Sequence, residues 1–329
     1  MNHPLESAPG SVGHYNCSGY TLLGYTIEKI TGESFSDALD GMIQGLLGMK
    51  RSGYDAPKRL VERKASGYVR VLGAYQNAAP VWMANLYAGG GMFSTVGDFL
   101  KWDQALYGDK LLSAESKRLM FTPYVKDDVW GDLGYGYGWM IGRREIAGKP
   151  RLVHEHGGNG PGFRTLITRY PDERKLVVLL LNEGNGNKGP AIYRIRSAIT
   201  NIMFKLAAAM PVPSLTDAIV SSIDQRGADR TLAEFAAMRA ANTPVSGPEE
   251  LNAFAYQYAQ EGRVTDAIAV PKMNLLQFPN DGNSYDSMGE MDLMRGDTAS
   301  ALTHYQKALE LDPSNTNAAT ALLKLKGKK

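Results

Sequence analysis

In the last third of the chain, Gly262, Ala267 and Pro279 recur as Gly296, Ala301 and Pro313, each 34 residues further on. Three coincident offsets at one period predict a helix-turn-helix repeat, in which small residues let paired helices approach and proline marks the turn. Such a unit cannot bury its apolar face alone, so it must stack on neighbours. Residues 314–324 place Ala318, Ala321 and Leu322 on one helical face and are expected to cap the stack. Two copies are few for independent stability, and docking on the preceding domain is expected.

The second copy, DSMGEMDLMRGDTASALTHYQKALELDPSN, resembles a tetratricopeptide repeat, with Tyr305, Ala308 and Leu309 at packing positions and Pro313 starting the next turn. The first, LNAFAYQYAQEGRVTDAIAVPKMNLLQFPN, is a looser match. With 329 residues, 43% hydrophobic and 21% charged, the chain is long enough for one large domain and a smaller one. Lys and Arg number 36 against 34 for Asp and Glu, and the first long basic run lies at Lys324–Lys329, so nucleic acid is not expected as a partner. A single cysteine, Cys17, excludes a disulfide framework within the chain and a cysteine-based metal site. No apolar run reaches the length of a membrane span, and MNHPLESAPG has no basic region followed by an apolar one, so no export signal is expected in the chain as written.

The first 205 residues have a different texture. RTLITRY and KLVVLLLN are rich in strand formers and joined by PDER, which predicts an antiparallel hairpin with a proline-initiated turn. The second strand is almost wholly apolar and is expected inside a sheet covered on both faces. AGGGMFSTVGDFLKWDQALYG predicts a helix over Asp98–Leu106 with Ser94 as N-cap, and the stripe of Phe99, Leu100, Trp102 and Leu106 as helix core. The prolines of MPVPSL and TPVSGPEE break helical continuity, and the domain boundary is expected near Pro211.

Four segments in order, SAPGSVGHYNCSGYTLLGYTIEKITGESF, LLGMKRSGY, AGGGMFSTVGDFLKWDQAL and HGGNGPGF, followed by the hairpin, resemble the β-lactamase-related serine hydrolases: class C β-lactamases, penicillin-binding D,D-peptidases and esterases. The resemblance covers residues 4 to about 200, and some members of that family also carry a tetratricopeptide-like tail. It implies a site of three motifs. The first is Ser-x-x-Lys, whose serine is acylated by an ester, D-amino acid peptide or lactam. The second is Tyr-x-Asn, whose tyrosine shuttles a proton. The third is Lys-x-Gly or His-x-Gly on a strand lining the cleft.

Tyr15 aligns with the motif tyrosine, and His156, Gly157 and Gly158 with the strand motif in its histidine form; both Tyr15 and His156 are the implied catalytic residues. Glycines at 157 and 158 leave backbone free of side chains where a substrate lies along a strand edge. The resemblance places the second oxyanion-hole donor at the amide of Asn159. Where the family has asparagine this chain has Cys17, with Asn16 one place early, and no Ser-x-x-Lys occurs in the 329 residues. The expectation is a chain that begins inside a domain, inactive or impaired by itself and poorly soluble unless it dimerises; an intact family member is expected to be periplasmic or secreted.

His154 and His156 share a strand face and could both reach one ion, but no third ligand stands at a suitable spacing, so no metal is expected. Cys17 could be a nucleophile with Tyr15 as base, but no electropositive neighbour would lower its pKa, and small buried filler is the expected role. Gly10-Ser11-Val12-Gly13 is not a nucleophile elbow, since Pro9 occupies the place of its first glycine. The expected fold is an α+β domain, an antiparallel sheet flanked by helices over residues 1–210. A helical linker over 211–248 and an all-α tetratricopeptide-like region over 249–329 follow. The expected partner is a small-molecule or peptide acyl substrate, with no cofactor. The rival expectation is a non-catalytic interaction protein that binds a protein partner through the repeats.

Overall fold

The computed structural model describes residues 4, 7–8, 10–72, 74–126, 132–184, 190–210, 212–242 and 247–326. The chain divides into two compact units, residues 1–69, 77–185 and 192–209 in one, and 70–76, 186–191 and 210–329 in the other.

The first unit opens on helix α1 (Cys17–Thr31), followed by the short α2 (Phe35–Asp40). Asn16 starts α1 by accepting a hydrogen bond from the Gly19 amide at 3.0 Å, and Gly32, left-handed at φ 75°, ends it. Strand β1 (Gly53–Tyr54) pairs with β4 (Met92–Phe93); between them β2 (Tyr68–Val71) and β3 (Ala74–Asn77) form a two-stranded ribbon whose residues 70–76 belong to the second unit. Helices α3 (Val96–Ala105) and α4 (Ala114–Met120) lead into the main sheet. Thr95, not Ser94, caps α3: its hydroxyl accepts from the Asp98 amide, while the Ser94 hydroxyl lies 2.7 Å from that of Ser52. Two adjacent hydroxyl residues satisfy the same capping rule, and the tertiary contact to Ser52 decides between them. Along α3, Phe99 and Trp102 pack on the sheet and Leu106 is buried, whereas Leu100 is exposed, contrary to the core stripe read from sequence.

The main sheet is antiparallel and six-stranded, in the order β10-β9-β8-β7-β6-β5. Its strands are β5 (Val125–Lys126), β6 (Gly134–Tyr135), β7 (Met140–Ile146), β8 (Lys149–Gly160), β9 (Phe163–Tyr170) and β10 (Lys175–Leu181). The β9–β10 hairpin turns through Pro171–Glu173 and pairs Lys175 with Tyr170. The apolar β10 is not interior: it stands at the sheet edge, and among the described residues no strand of the sheet lies beyond it. An unbroken apolar run reports two packed faces but says nothing about what flanks the strand sideways.

One face of the sheet carries Trp139, Ile141 and Ile167, with Phe99, Trp102, Met120 and Phe121 against them; the opposite face carries Val153, Tyr170 and Val177 against helix α5 (Pro190–Met203) through Ile199 and Met203. Arg169 and Asp103, both almost fully buried, form an ion pair on the first face, where the guanidinium also lies over the rings of Tyr107 and Phe121.

The second unit is helical, with α6 (Leu215–Arg226), α7 (Ala228–Ala241), α8 (Pro248–Gln260), α9 (Val264–Gln277), α10 (Gly282–Met294), α11 (Thr298–Leu311) and α12 (Thr316–Lys326). Helices α8, α10 and α12 begin 34 residues apart, as do α9 and α11. The small residues sit where helices meet: Ala267, Ala301, Ala308 and Ala318 are fully buried, and a Cβ on Gly289 would lie 2.9 Å from the Tyr305 ring. Among the described residues no helix is long and apolar enough to cross a membrane.

Candidate active site

Two structural devices bring distant tyrosines beside one histidine. The first is the capped start of α1. With the Asn16 side chain holding the Gly19 amide, Tyr15 precedes the helix, Cys17 is its first residue, and Tyr20 follows one turn on. The amide at position 16 is therefore engaged as a helix cap. The second device is the strand order, which sets β6 and β8 on either side of β7. Tyr135 on β6 reaches across, and its hydroxyl lies 2.9 Å from Nε2 of His156 on β8.

The three rings form a triangle. Their centroids stand 6.1 Å apart for Tyr15 and Tyr135, 6.1 Å for Tyr15 and His156, and 6.0 Å for Tyr135 and His156. Tyr15 is 47% exposed, so the triangle opens to solvent on that side. Tyr135 was not singled out from the sequence. Its signal is GYGYGW at 134–139, where glycines alternate with aromatics at the period of a strand.

Electrostatically the cluster keeps its protons. Burial raises the pKa of Tyr15, and the neighbouring Cys17 and Tyr20, which would both be anionic if ionised, raise it further. Burial likewise raises Tyr20, and it raises Tyr135 well above the ordinary tyrosine range with help from Tyr20, Tyr15 and Cys17. Burial lowers the pKa of His156, opposed by a hydrogen bond to the Gly157 backbone, so the imidazole is neutral at pH 7. A tyrosine in such company is a proton donor; as a base it needs a cation beside it.

The strand motif lies on an open edge. β7 pairs with β8 from Lys149 to Glu155, and β9 pairs with it from His154 to Gly160. Residues 156–160 therefore have one edge bonded to β9, and among the described residues no strand on the other. Gly158 lies on the same face as His156, and a Cβ there would come within 2.4 Å of the Thr165 hydroxyl; Gly157 and Asn159 lie on the opposite face, with Asn159 exposed and opposite Arg164. At the tip of the hairpin, Gly162 has φ 77° and packs against the Gly67 backbone.

His154 is separated from this site. Its ring stacks on Phe121 at 4.1 Å, and burial, with the Arg169 charge, lowers its pKa to about 3, so it is a neutral core histidine. Glu155 points to the other face, where Arg144 binds it with two hydrogen bonds of 2.8 Å, and Arg196 and Thr168 at 2.6 Å each. Among the described residues no group of His, Cys, Asp or Glu is placed to hold a metal ion. Cys17 is exposed, not buried filler: as the first residue of α1 it has no preceding turn to cover it, and it lies beside Tyr15.

A mixed α/β domain with an antiparallel sheet, and a tyrosine and a strand histidine meeting at its edge, defines the class. The Beta-lactamase family matches residues 1–200, and the chain belongs to that family. Penicillin-binding protein 4* of Bacillus subtilis is 31% identical over 198 residues, 56% of this chain and 43% of that protein. The D-alanyl-D-alanine-carboxypeptidase/endopeptidase AmpH of Escherichia coli is 28% identical over 188 residues, 51% of this chain and 45% of its own. The serine beta-lactamase-like protein LACTB of Homo sapiens is 29% identical over 223 residues, 61% of this chain and 40% of its own. The chain thus spans less than half the length of these relatives. Among solved structures, the octameric penicillin-binding protein homologue from Pyrococcus abyssi aligns with a TM-score of 0.51 and 27% identity, covering 61% of this chain and 44% of that one.

Proposed function

We propose that residues 1–210 supply the tyrosine and strand-motif half of an acyl-transfer cleft, acting in the manner of a serine hydrolase on an ester, D-amino acid peptide or lactam. The observation that carries this reading is the meeting of Tyr15 and His156, 141 positions apart in sequence, at the edge of β8 that no described strand pairs. In the reaction a nucleophile attacks the acyl carbonyl, the leaving group departs with a proton, and water releases the acyl group. Tyr15, which holds its proton, suits donation to the leaving group. The β8 edge supplies backbone groups to an extended substrate, with Asn159 as the proposed oxyanion donor.

No Ser-x-x-Lys stands in the 329 residues, and nothing cationic is among the groups that shift Tyr15. The chain alone is therefore proposed to be inactive or impaired. The test is hydrolysis of a chromogenic short-chain ester, a chromogenic cephalosporin and a D-alanyl-D-alanine peptide. The chain is assayed alone and mixed with a polypeptide bearing Ser-x-x-Lys from a full-length relative, beside Tyr15→Phe and His156→Ala. Turnover only in the mixture, lost in both variants, is the expected result. Turnover by the chain alone would place the nucleophile within these residues, with Cys17→Ser as the next variant; no turnover under any condition would overturn the hydrolase reading.

A second reading has its own observation. The 34-residue spacing of the helix starts from α8 to α12 supports a tetratricopeptide-like array, and such arrays bind peptides or helices. In that case a protein partner is the ligand and the hydrolase unit is scaffold.

A further inference from the structure

Within the second unit a cavity of about 410 Å³ stands between the tip of the β2–β3 ribbon, helix α6 and the turn from α8 into α9. The ribbon contributes Arg70 and Leu72 to its walls, α6 contributes Ser221, Asp224 and Gln225, and the turn contributes Arg263. A volume of this order is that of a small-molecule site. On α6, Ile219, Val220 and Ile223 are buried in the helical core, which turns Ser221, Asp224 and Gln225, spaced three and four apart, to another face. Leu72, left-handed at φ 44°, joins the same core and gives the cavity an apolar wall. The side chains of Arg70, Asp224 and Arg263 are 30%, 22% and 34% exposed, so a ligand can reach them.

The charges of these walls are already matched. Arg263 donates from Nη1 to Asp224 Oδ1 and from Nε to Asp266 Oδ2, at 2.7 Å each, and its guanidinium lies over the Tyr258 ring. Arg70 and Asp217 form a looser pair at 3.8 Å. Two guanidiniums therefore stand with three carboxylates: an anion finds no excess positive charge, and a cation approaching Asp224 meets Arg263 beside it. What is left over is hydrogen-bonding capacity. Among the described residues, neither Arg263 Nη2 nor Asp224 Oδ2 has a partner, so one ion pair presents a donor and an acceptor side by side. Gln225 donates to the Ser221 hydroxyl at 3.1 Å, which leaves the Gln225 side-chain oxygen and the Ser221 hydrogen to spend.

We propose that this cavity is a binding site for an uncharged polyhydroxylated ligand, a sugar of one or two rings. A hydroxyl both donates and accepts, so neighbouring hydroxyls bridge Arg263 and Asp224 without breaking their pair. A charged ligand has to displace one partner and leave the other unmatched. The Leu72 wall suits the C–H face of a sugar ring, which loses no hydrogen bond when it leaves water.

Three probes share one ring and differ in charge: glucose, glucosamine and glucuronate. Each is titrated into the 15N-labelled full chain at about pH 6, where the amine and the carboxylate of the latter two are both ionised, and the amide and side-chain N–H signals are followed by NMR. The expected result is a saturable shift at Ser221, the Gln225 side-chain amide and Arg263 Nε, with glucose binding about tenfold more tightly than either charged analogue. Gln225→Ala, on the exposed side of α6, should weaken glucose about fivefold, the worth of one hydrogen bond. Asp224→Asn keeps the shape of the wall but leaves Arg263 with Asp266 alone, so glucuronate should draw level with glucose or pass it. A side chain with a merely structural role would not change the order of the probes in this way. No saturable shift with any probe, shifts centred elsewhere, or tighter binding of a charged probe by the unaltered chain overturns the proposal. If Asp224→Asn does not fold, the ranking in the unaltered chain and the loss in Gln225→Ala still decide.

Discussion

The two units solve the same problem in opposite ways. In the helical unit each apolar face meets a neighbour close in sequence: Leu251, Ala255 and Tyr258 of α8 and Ala267, Val270 and Met273 of α9 are all inaccessible to solvent. In the sheet-containing unit the first helix does the reverse. On α1 only Gly24 is buried, held against Ala88 by close approach, while Leu22 is 66% and Ile30 79% exposed, with Leu23 and Tyr25 also open. The helical unit makes most of its core from contacts between adjacent helices, with Leu72 as a sequence-distant addition. The sheet domain makes its core from long-range pairings, and α1 presents apolar surface that no described residue covers, while β10, though at the sheet edge, packs on both faces. Local closure leaves only scattered apolar side chains such as Leu276, Met294 and Leu323 open, whereas non-local closure leaves a contiguous apolar face on α1.

Core truncation gives the largest effect that would break this contrast. Leu251→Ala should destabilise the helical unit by about 3 kcal/mol, from the lost apolar transfer and the cavity left behind. The measurement is denaturant unfolding followed by far-ultraviolet circular dichroism. A loss below about 1 kcal/mol would mean that the stacked helices are not a tight core.

Acid should separate the units by a similar amount. Burial pushes the Glu155 carboxyl up, but the bonds and charges of Arg144 and Arg196 and the Thr168 hydroxyl outweigh it and hold its pKa at about 2. Because this folded-state value is depressed, the ion pairs contribute fully above the ordinary carboxylate range. That contribution, of order 3 kcal/mol, is lost as pH falls towards 2. His154, lowered to about 3, acts in the same direction from about pH 6.5 downwards, since the unfolded chain takes up a proton that the folded core refuses. In the helical unit, burial raises the pKa of Asp286, aided by the Glu290 charge and opposed by Asn317. A raised carboxyl favours the folded state as pH falls. Calorimetry across this range should show the sheet domain melting earlier as pH drops while the helices hold; parallel loss in both would remove the distinction.

The smallest effect sharpens the comparison. Leu22→Ala should change stability by no more than about 0.5 kcal/mol in either direction while reducing self-association, measured by unfolding and sedimentation. A loss of about 2 kcal/mol would mean that the α1 face is covered.

What the sequence disclosed follows the same division. The 34-residue period of the helical unit was legible because a fixed spacing is a local property, and the starts of α8, α10 and α12 keep it. The β9–β10 hairpin was legible for a related reason, two strand-forming runs joined by a proline turn of four residues. The position of β10 at the sheet edge was not, because sideways pairing is set by segments far away in sequence. At the site, Tyr15 and His156 were approached through short motifs, but Tyr135 lies in GYGYGW, which reads as a glycine-rich loop until strand order carries it to His156. His154 and His156 are indistinguishable by spacing; only tertiary packing makes one a core ring stacked on Phe121 and the other part of an aromatic cluster. The exposure of Cys17 was missed because a lone small residue carries no periodicity from which to infer a face.

The carboxylate of Glu155 joins β8, where it originates, to β7 through Arg144, to β9 through Thr168 and to α5 through Arg196. Detaching any one of these elements strands a buried charge, so the back of the sheet has no inexpensive partial opening. Its amide hydrogens in β7, β8, β9 and α5 should exchange with solvent together, in a single slow event. The aromatic face of the same strand, held by one hydroxyl and ring contacts, can breathe independently. One strand thus has a rigid side and a compliant side, and the candidate chemistry lies on the compliant one.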